Sequence, residues 1–239
     1  MKNMVSFKVW GRYALFTDPL TRVGGEKFSY QIPTYEALKG VISSVYWKPT
    51  IIWYIDRVRV MKPIKTQTRS AKPIKIFSSQ NDLSIYTYLA DVEYQVQAYF
   101  DWNYSRTDLE KDRNENKHFF VAKRMIERGG RRDVFLGTRE CQAYVEPCEF
   151  GDGEGYFDNY DGEISFGLMF HGFDYPDESN KDEFYARFWR PKMEKGVVNF
   201  VHPTDKSIIR KFLRKMTPHP PSTVGLNEAG LLDGYLEEA

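Results

Sequence analysis

Val5, Phe7 and Val9 alternate with Ser6, Lys8 and Trp10, the two-residue period of a strand with one buried face. After a long connection over 17–33, Thr34 stands where a helix cap belongs. Leu38, Val41, Ile42 and Val45 then recur at helical spacing on one face, and Lys48-Pro49 closes the element. Ile51–Val60 has the isoleucine, aromatic and valine content of a strand. Strict alternation returns at Val92, Tyr94, Val96, Ala98 and Phe100. A second helix is predicted from about Asn116, turning Phe119, Ala122, Met125 and Ile126 inward and stopping at Gly129-Gly130. A strand is predicted over 134–145.

Strand, helix, strand therefore occurs twice. That is the split β-α-β order of a ferredoxin-like, RRM-like α+β domain, a plan that hosts many functions and argues none by itself. The composition changes after Pro147, where GDGEGYFDNYDGE is turn-rich and acidic. Strands are predicted over 164–175, Glu183–Trp189 and 197–201, forming a small antiparallel sheet. The expected division is 1–147 for the first domain, 148–216 for the second, and 217–239 for a loosely ordered tail.

Net charge over the 239 residues is +1, so no global field draws in a polyanion and any basic surface must be local. Such a surface is predicted in a proline-punctuated ribbon after the strand Ile51–Val60, read as a β-hairpin arm. Arg57, Arg59, Lys62, Lys65, Arg69, Lys72 and Lys75 have no acid between them there. Cations so spaced suit a nucleic-acid backbone; they equally suit an edge hairpin kept soluble by lysine. Two cysteines, Cys141 and Cys148, make no disulfide framework. No apolar run approaches a membrane span, and a reduced, cytoplasmic setting is expected.

The four histidines have no metal-ligand spacing, and the acidic glycine-rich stretch lacks the ligand order of a calcium loop. No metal and no cofactor are expected. The unusual pair is Lys117-His118 at a helix entrance, where a lysine is unfavourable unless an anion is near. Histidine exchanges protons near neutral pH, its reference pKa being about 6.5. The pair reads either as a solvated helix start or as a phosphate site beside a proton-transfer group. Tyr46, at the end of the first helix, is either a rim residue with its hydroxyl in water or one that presents it to a cleft. RNA permits metal-free acid–base cleavage, because its own 2′-hydroxyl can attack the adjacent phosphorus.

GRYALFTDPLTRVGGEKFSYQIPTYEALKG at 11–40, VYWKPTI at 45–51, RVMKPIK at 59–65, DRNENKHF at 112–119, GGRRDVFLGTRECQAYVEPCEFG at 129–151 and HGFDYPDE at 171–178 carry a resemblance. The chain resembles the CRISPR-associated RAMP superfamily, Cas family five, type I-C (Dvulg) subtype, in order up to about residue 201. The resemblance implies an endoribonuclease that cuts the repeat of precursor CRISPR RNA and stays on the 5′ handle of the mature CRISPR RNA. It also implies partners, the backbone and large subunits of the type I-C Cascade interference complex; alone the protein is expected to be monomeric.

The implied catalytic residues are Tyr46 and His118 as the proton-transfer pair, with either as the base, and Lys117 as charge stabiliser. The family's glycine-rich phosphate loop corresponds to Gly129, Gly130, Arg131 and Arg132 after Arg128, and Arg139 lies on the same expected RNA path. Two other readings stand beside this one. One is a subunit that caps the handle without cutting, which would not need Tyr46 with Lys117-His118. The other is a metal-dependent DNA nuclease, disfavoured for want of carboxylates at ligand spacing.

Overall fold

A computed structural model describes residues 3–23, 26–74, 83–179 and 181–218. The alternating segments pair as β1 (Val5–Ala14), β2 (Ile51–Val60), β3 (Ser84–Trp102) and β4 (Gln142–Pro147). They lie side by side in the order β4-β1-β3-β2, each neighbouring pair antiparallel. The two long helices are α1 (Tyr35–Val45) and α2 (Glu115–Glu127). The whole is a mixed α/β architecture dominated by antiparallel sheet.

The predicted stripes meet in one core. Phe7 and Val9 of β1 and Val96, Ala98 and Phe100 of β3 join Leu38, Val41, Ile42 and Val45 of α1, and Ala122 and Ile126 of α2. Each large apolar side chain so buried contributes about 1.5–3 kcal/mol relative to exposure. α1 packs against β2, and α2 against β1 and β4, which brings the end of the first helix beside the second.

β3 is much longer than its alternating centre. Its outer part, 84–89, pairs with the strand Thr66–Ala71, and Tyr86 and Thr87 also pair in parallel with Lys27–Phe28. This is the arm, and every residue of Thr66–Ala71 is exposed.

Two expected strands are broken. The stretch 134–145 turns back on itself, so that Val134 pairs with Ala143 and Phe135 with Gln142. The reversal is made where Gly137 has φ 93°, a value that suits glycine. The stretch 164–175 divides at Gly167, φ 72°. Glu163–Ser165 pairs with Lys192–Glu194, which pairs with Val197–Asn199, and that strand extends the large sheet at the edge of β2. Met169–Asp174, Glu183–Trp189 and Ile209–Lys215 form a separate three-stranded sheet. The strands expected to make one small sheet are therefore shared between two. Alternation says which face a residue takes, not which strand lies beside it.

The small sheet packs on α1 through His171, whose ring stacks on Tyr35 at 4.2 Å. Burial, aided by Arg187, pushes the His171 imidazole down to about 3, so it is a neutral core residue. Most of the expected tail, 219–239, lies outside the described residues.

Candidate active site

α1 ends where Tyr46 leaves helical geometry, at φ −155° and ψ 125°. Its N–H still donates to Ile42 O, and its carbonyl accepts from the buried Trp53 indole at 2.7 Å. The main chain on both sides of the tyrosine is thus fixed. α2 begins at Glu115 behind Asn114, whose side chain caps the Lys117 N–H at 3.0 Å.

The turn after α2 ties the two helices together. Gly129 N–H donates to Ile126 O and Gly130 N–H to Met125 O, closing the helix end. Arg131 N–H then donates to Val45 O and Arg132 N–H to Ser44 O, the last residues of α1. The glycine-rich loop expected to bind phosphate has no free main-chain donor, because all four N–H groups of this turn have partners inside the chain. What the turn offers outward is the exposed side chains of Arg131 and Arg132.

Held this way, Tyr46 and His118 meet. The Tyr46 hydroxyl lies 2.8 Å from His118 Nδ1, and His118 Nε2 lies 2.9 Å from the Asp112 carbonyl oxygen. A carbonyl only accepts, so Nε2 carries the hydrogen and Nδ1 accepts from the tyrosine. Phe100 and Trp102 of β3 pack edge-on around the imidazole. Of the pair, only Tyr46 reaches the surface at all, at 4% exposure against 0% for His118. Burial, then the Asp112 carboxylate, push the Tyr46 phenol up to about 12, while Arg131 pulls it the other way. The tyrosine is a neutral phenol whose proton points at His118.

Lys117 is half exposed, and its Nζ contacts Asp112 Oδ1 at 2.5 Å. The anion that a lysine needs at a helix start is therefore supplied by the chain itself. The other carboxylate oxygen accepts from the Thr50 hydroxyl at 2.7 Å and stands 3.4 Å from His118 Nε2. Burial raises the Asp112 carboxyl, but hydrogen bonds from Lys117 and Thr50 outweigh it and hold the group below its ordinary value. Asp112 ends the short 3-10 turn Thr107–Asp112. The sequence reading passed over it and Thr50: neither lies on a helical or strand stripe, although DRNENKHF begins with that aspartate.

The cations expected along RNA fall into different environments. Arg59, 6% exposed, bonds the Asp158 carboxylate at 2.6 Å and the Asp152 and Gly153 carbonyls. The acidic loop that resembled a calcium site in composition thus wraps this guanidinium. Lys62 pairs with Asp91 at 2.7 Å, and Arg57 bonds Gln97 and lies over the Phe150 ring. No acid lies between these cations in the ribbon, but three of them face one in space: Arg57 stands 3.8 Å from the adjacent Asp56, and the partners of Arg59 and Lys62 come from distant segments. Lys65, Arg69 and Lys72 are exposed on the arm, with Arg69 5.2 Å over the Tyr13 ring. Arg139 is exposed beside Phe135. Lys75 lies outside the described residues. Among the described residues, no group of three or more histidines, cysteines or acids is placed to hold a metal ion, and no helix is long and apolar enough to cross a membrane.

The family described as CRISPR-associated protein (Cas_Cas5), in its Cas5d form, matches residues 4–201. The chain is 27% identical over 224 residues to the CRISPR pre-crRNA endoribonuclease Cas5d of Mannheimia succiniciproducens, covering 83% of this chain and 95% of that protein. To the CRISPR pre-crRNA endoribonuclease Cas5d of Thermus thermophilus it is 28% identical over 173 residues, 68% of this chain and 72% of that one. A crystal structure of a CRISPR-associated protein matches with a TM-score of 0.72 and 33% identity, over 87% of this chain and 96% of its own. SMU1763c from Streptococcus mutans matches at 0.69 and 34%, over 86% and 96%.

Proposed function

The chain belongs to the CRISPR-associated Cas5 family, and we propose that it acts there as a precursor-CRISPR-RNA endoribonuclease working through Tyr46, His118 and Lys117. The observation that carries this reading is the 2.8 Å contact between the Tyr46 hydroxyl and His118 Nδ1, joined by residues 72 positions apart. RNA supplies the nucleophile. The tyrosine's proton is directed at His118, so its oxygen keeps lone pairs for the 2′-hydroxyl. It takes the 2′-proton while passing its own to Nδ1, and the two residues act as one base.

As the bond from the 2′-oxygen to phosphorus forms and the bond to the 5′-oxygen breaks, the Lys117 ammonium offsets charge on the phosphorane oxygens. The 5′-oxygen leaves as an alcohol, taking a proton from water. The products are a 2′,3′-cyclic phosphate and a 5′-hydroxyl, and His118 returns its proton through Tyr46 to the hydroxide that the water leaves.

The sheet order β4-β1-β3-β2, with a helix after β1 and another after β3, supports reading the core as a ferredoxin-like RAMP domain. After cutting, the protein stays on the 5′ handle as a subunit of the type I-C interference complex. Arg131, Arg132 and Arg139 hold the RNA near the site, and the arm extends that path.

Incubated with cognate repeat RNA in EDTA, the purified protein should cut at an undiminished rate and leave a cyclic phosphate end. Complete loss of cleavage in the chelator would overturn the metal-free mechanism.

The arm is tested separately, through salt. Each phosphate contact to single-stranded RNA contributes a slope of roughly −0.7 in log affinity against log salt. Replacing Lys65, Arg69 and Lys72 together by alanine should flatten the slope by about two units, for cognate and scrambled RNA alike. An unchanged slope would make the arm a solubilised edge.

A further inference from the structure

We propose that Asp112 is a positioning residue for the Tyr46–His118 proton path, a role that rests on the nuclease reading above. Its carbonyl oxygen receives the Nε2 hydrogen of His118 at 2.9 Å, which leaves Nδ1 as the acceptor facing Tyr46. At 0% exposure the ring has no water to take the carbonyl's place. The carboxylate acts on the same edge: Oδ2 is 3.4 Å from Nε2 and is held there by Thr50, while Oδ1 is held by Lys117.

When the tyrosine's O–H bond breaks and the Nδ1–H bond forms, the imidazole becomes a cation with its Nε2–H intact. The carboxylate opposes that charge and takes no proton itself. Away from bulk water, such an attraction is stronger than between exposed charges.

The same negative charge stands beside Lys117, where the RNA phosphate arrives. Removing it should therefore slow cleavage without weakening binding. A residue that merely braced the loop would lose both together.

The test is Asp112→Asn in the full chain, read by single-turnover cleavage and by RNA affinity. Cleavage should slow on the order of 10–100-fold, the scale usual for a group that orients a histidine. Affinity should stay unchanged or tighten. In a His118→Ala background the same substitution should change the residual rate by less than about twofold, since residues acting as a unit are non-additive. A wild-type rate in Asp112→Asn, affinity lost in step with rate, or an equal loss with and without His118 would each overturn the proposal.

Nitrogen-15 NMR of wild-type protein labelled at histidine tests the geometry without a variant at position 112 and without cleavage. The resonance that disappears in His118→Ala should show a protonated Nε2 and a bare Nδ1 in the neutral ring. Hydrogen on Nδ1 would refute the role of the Asp112 carbonyl. If wild-type protein cuts no repeat RNA while the tautomer is as stated, the nuclease reading fails and the local geometry stands.

Discussion

Tyr46→Phe should cut repeat RNA on the order of 10²–10⁴ more slowly than the wild type, the range for losing a group that moves a proton in the transition state. The substitution keeps the aromatic ring that packs in the core and removes only the hydroxyl that meets His118 Nδ1. His118→Ala should fall by a similar factor. Because the imidazole is sealed at 0% exposure and meets the tyrosine through Nδ1, the double variant should be little worse than either single one. RNA affinity should survive in all three.

Stability should respond to Tyr46→Phe, since Nδ1 of His118 is left without a donor in a buried place. A cost of about 1–3 kcal/mol follows for an unsatisfied buried acceptor. Single-turnover cleavage and thermal unfolding read the two effects separately. Tyr46→Phe cutting at the wild-type rate, or the two single losses multiplying in the double variant, would sink the shared-base mechanism.

A repeat RNA carrying one 2′-deoxy nucleotide immediately upstream of the scissile phosphate should not be cut at all. Its affinity should remain near that of the unmodified RNA, because phosphate contacts dominate binding and are all retained. The protein has to supply only proton transfer, charge balance and alignment, so the nucleophile is the one component the substrate brings. Removing it removes the reaction. Cutting of the deoxy substrate at a normal rate would mean that water, not the 2′-hydroxyl, attacks phosphorus.

The helix stripes and the alternation in β1 and β3 were legible in the sequence because each records a local period. Leu38, Val41, Ile42 and Val45 lie on one face whatever they pack against, and they are buried as that pattern requires. Pairings across the chain leave no such record. Tyr46 and His118 are 72 positions apart, and it is the family resemblance rather than any spacing that names them together. Arg59 looked unpaired because its carboxylate, Asp158, lies 99 positions away, and the partner of Lys62 lies 29 away.

Gly129-Gly130, read as the stop of the second helix, is that stop. A glycine pair at a helix end signals open main-chain donors and a helix cap equally well, and here the cap takes the amides. Asp112 was hidden by its place in an irregular turn, where no period marks a side chain as facing inward.

Ordering a loop around a polyanion costs about 1–2 kcal/mol for every residue whose backbone must be fixed. At residues 129–132 that loss occurs when the chain folds, since every amide of the turn is already bonded to a helix. On the RNA path proposed above, a phosphate arriving there would immobilise the side chains of Arg131 and Arg132 and no main chain. The turn works as a rigid mount for two guanidinium groups, set against the helix end that also carries Tyr46. Affinity gained at those arginines is thus relieved of the largest entropic loss that a phosphate-binding loop usually bears.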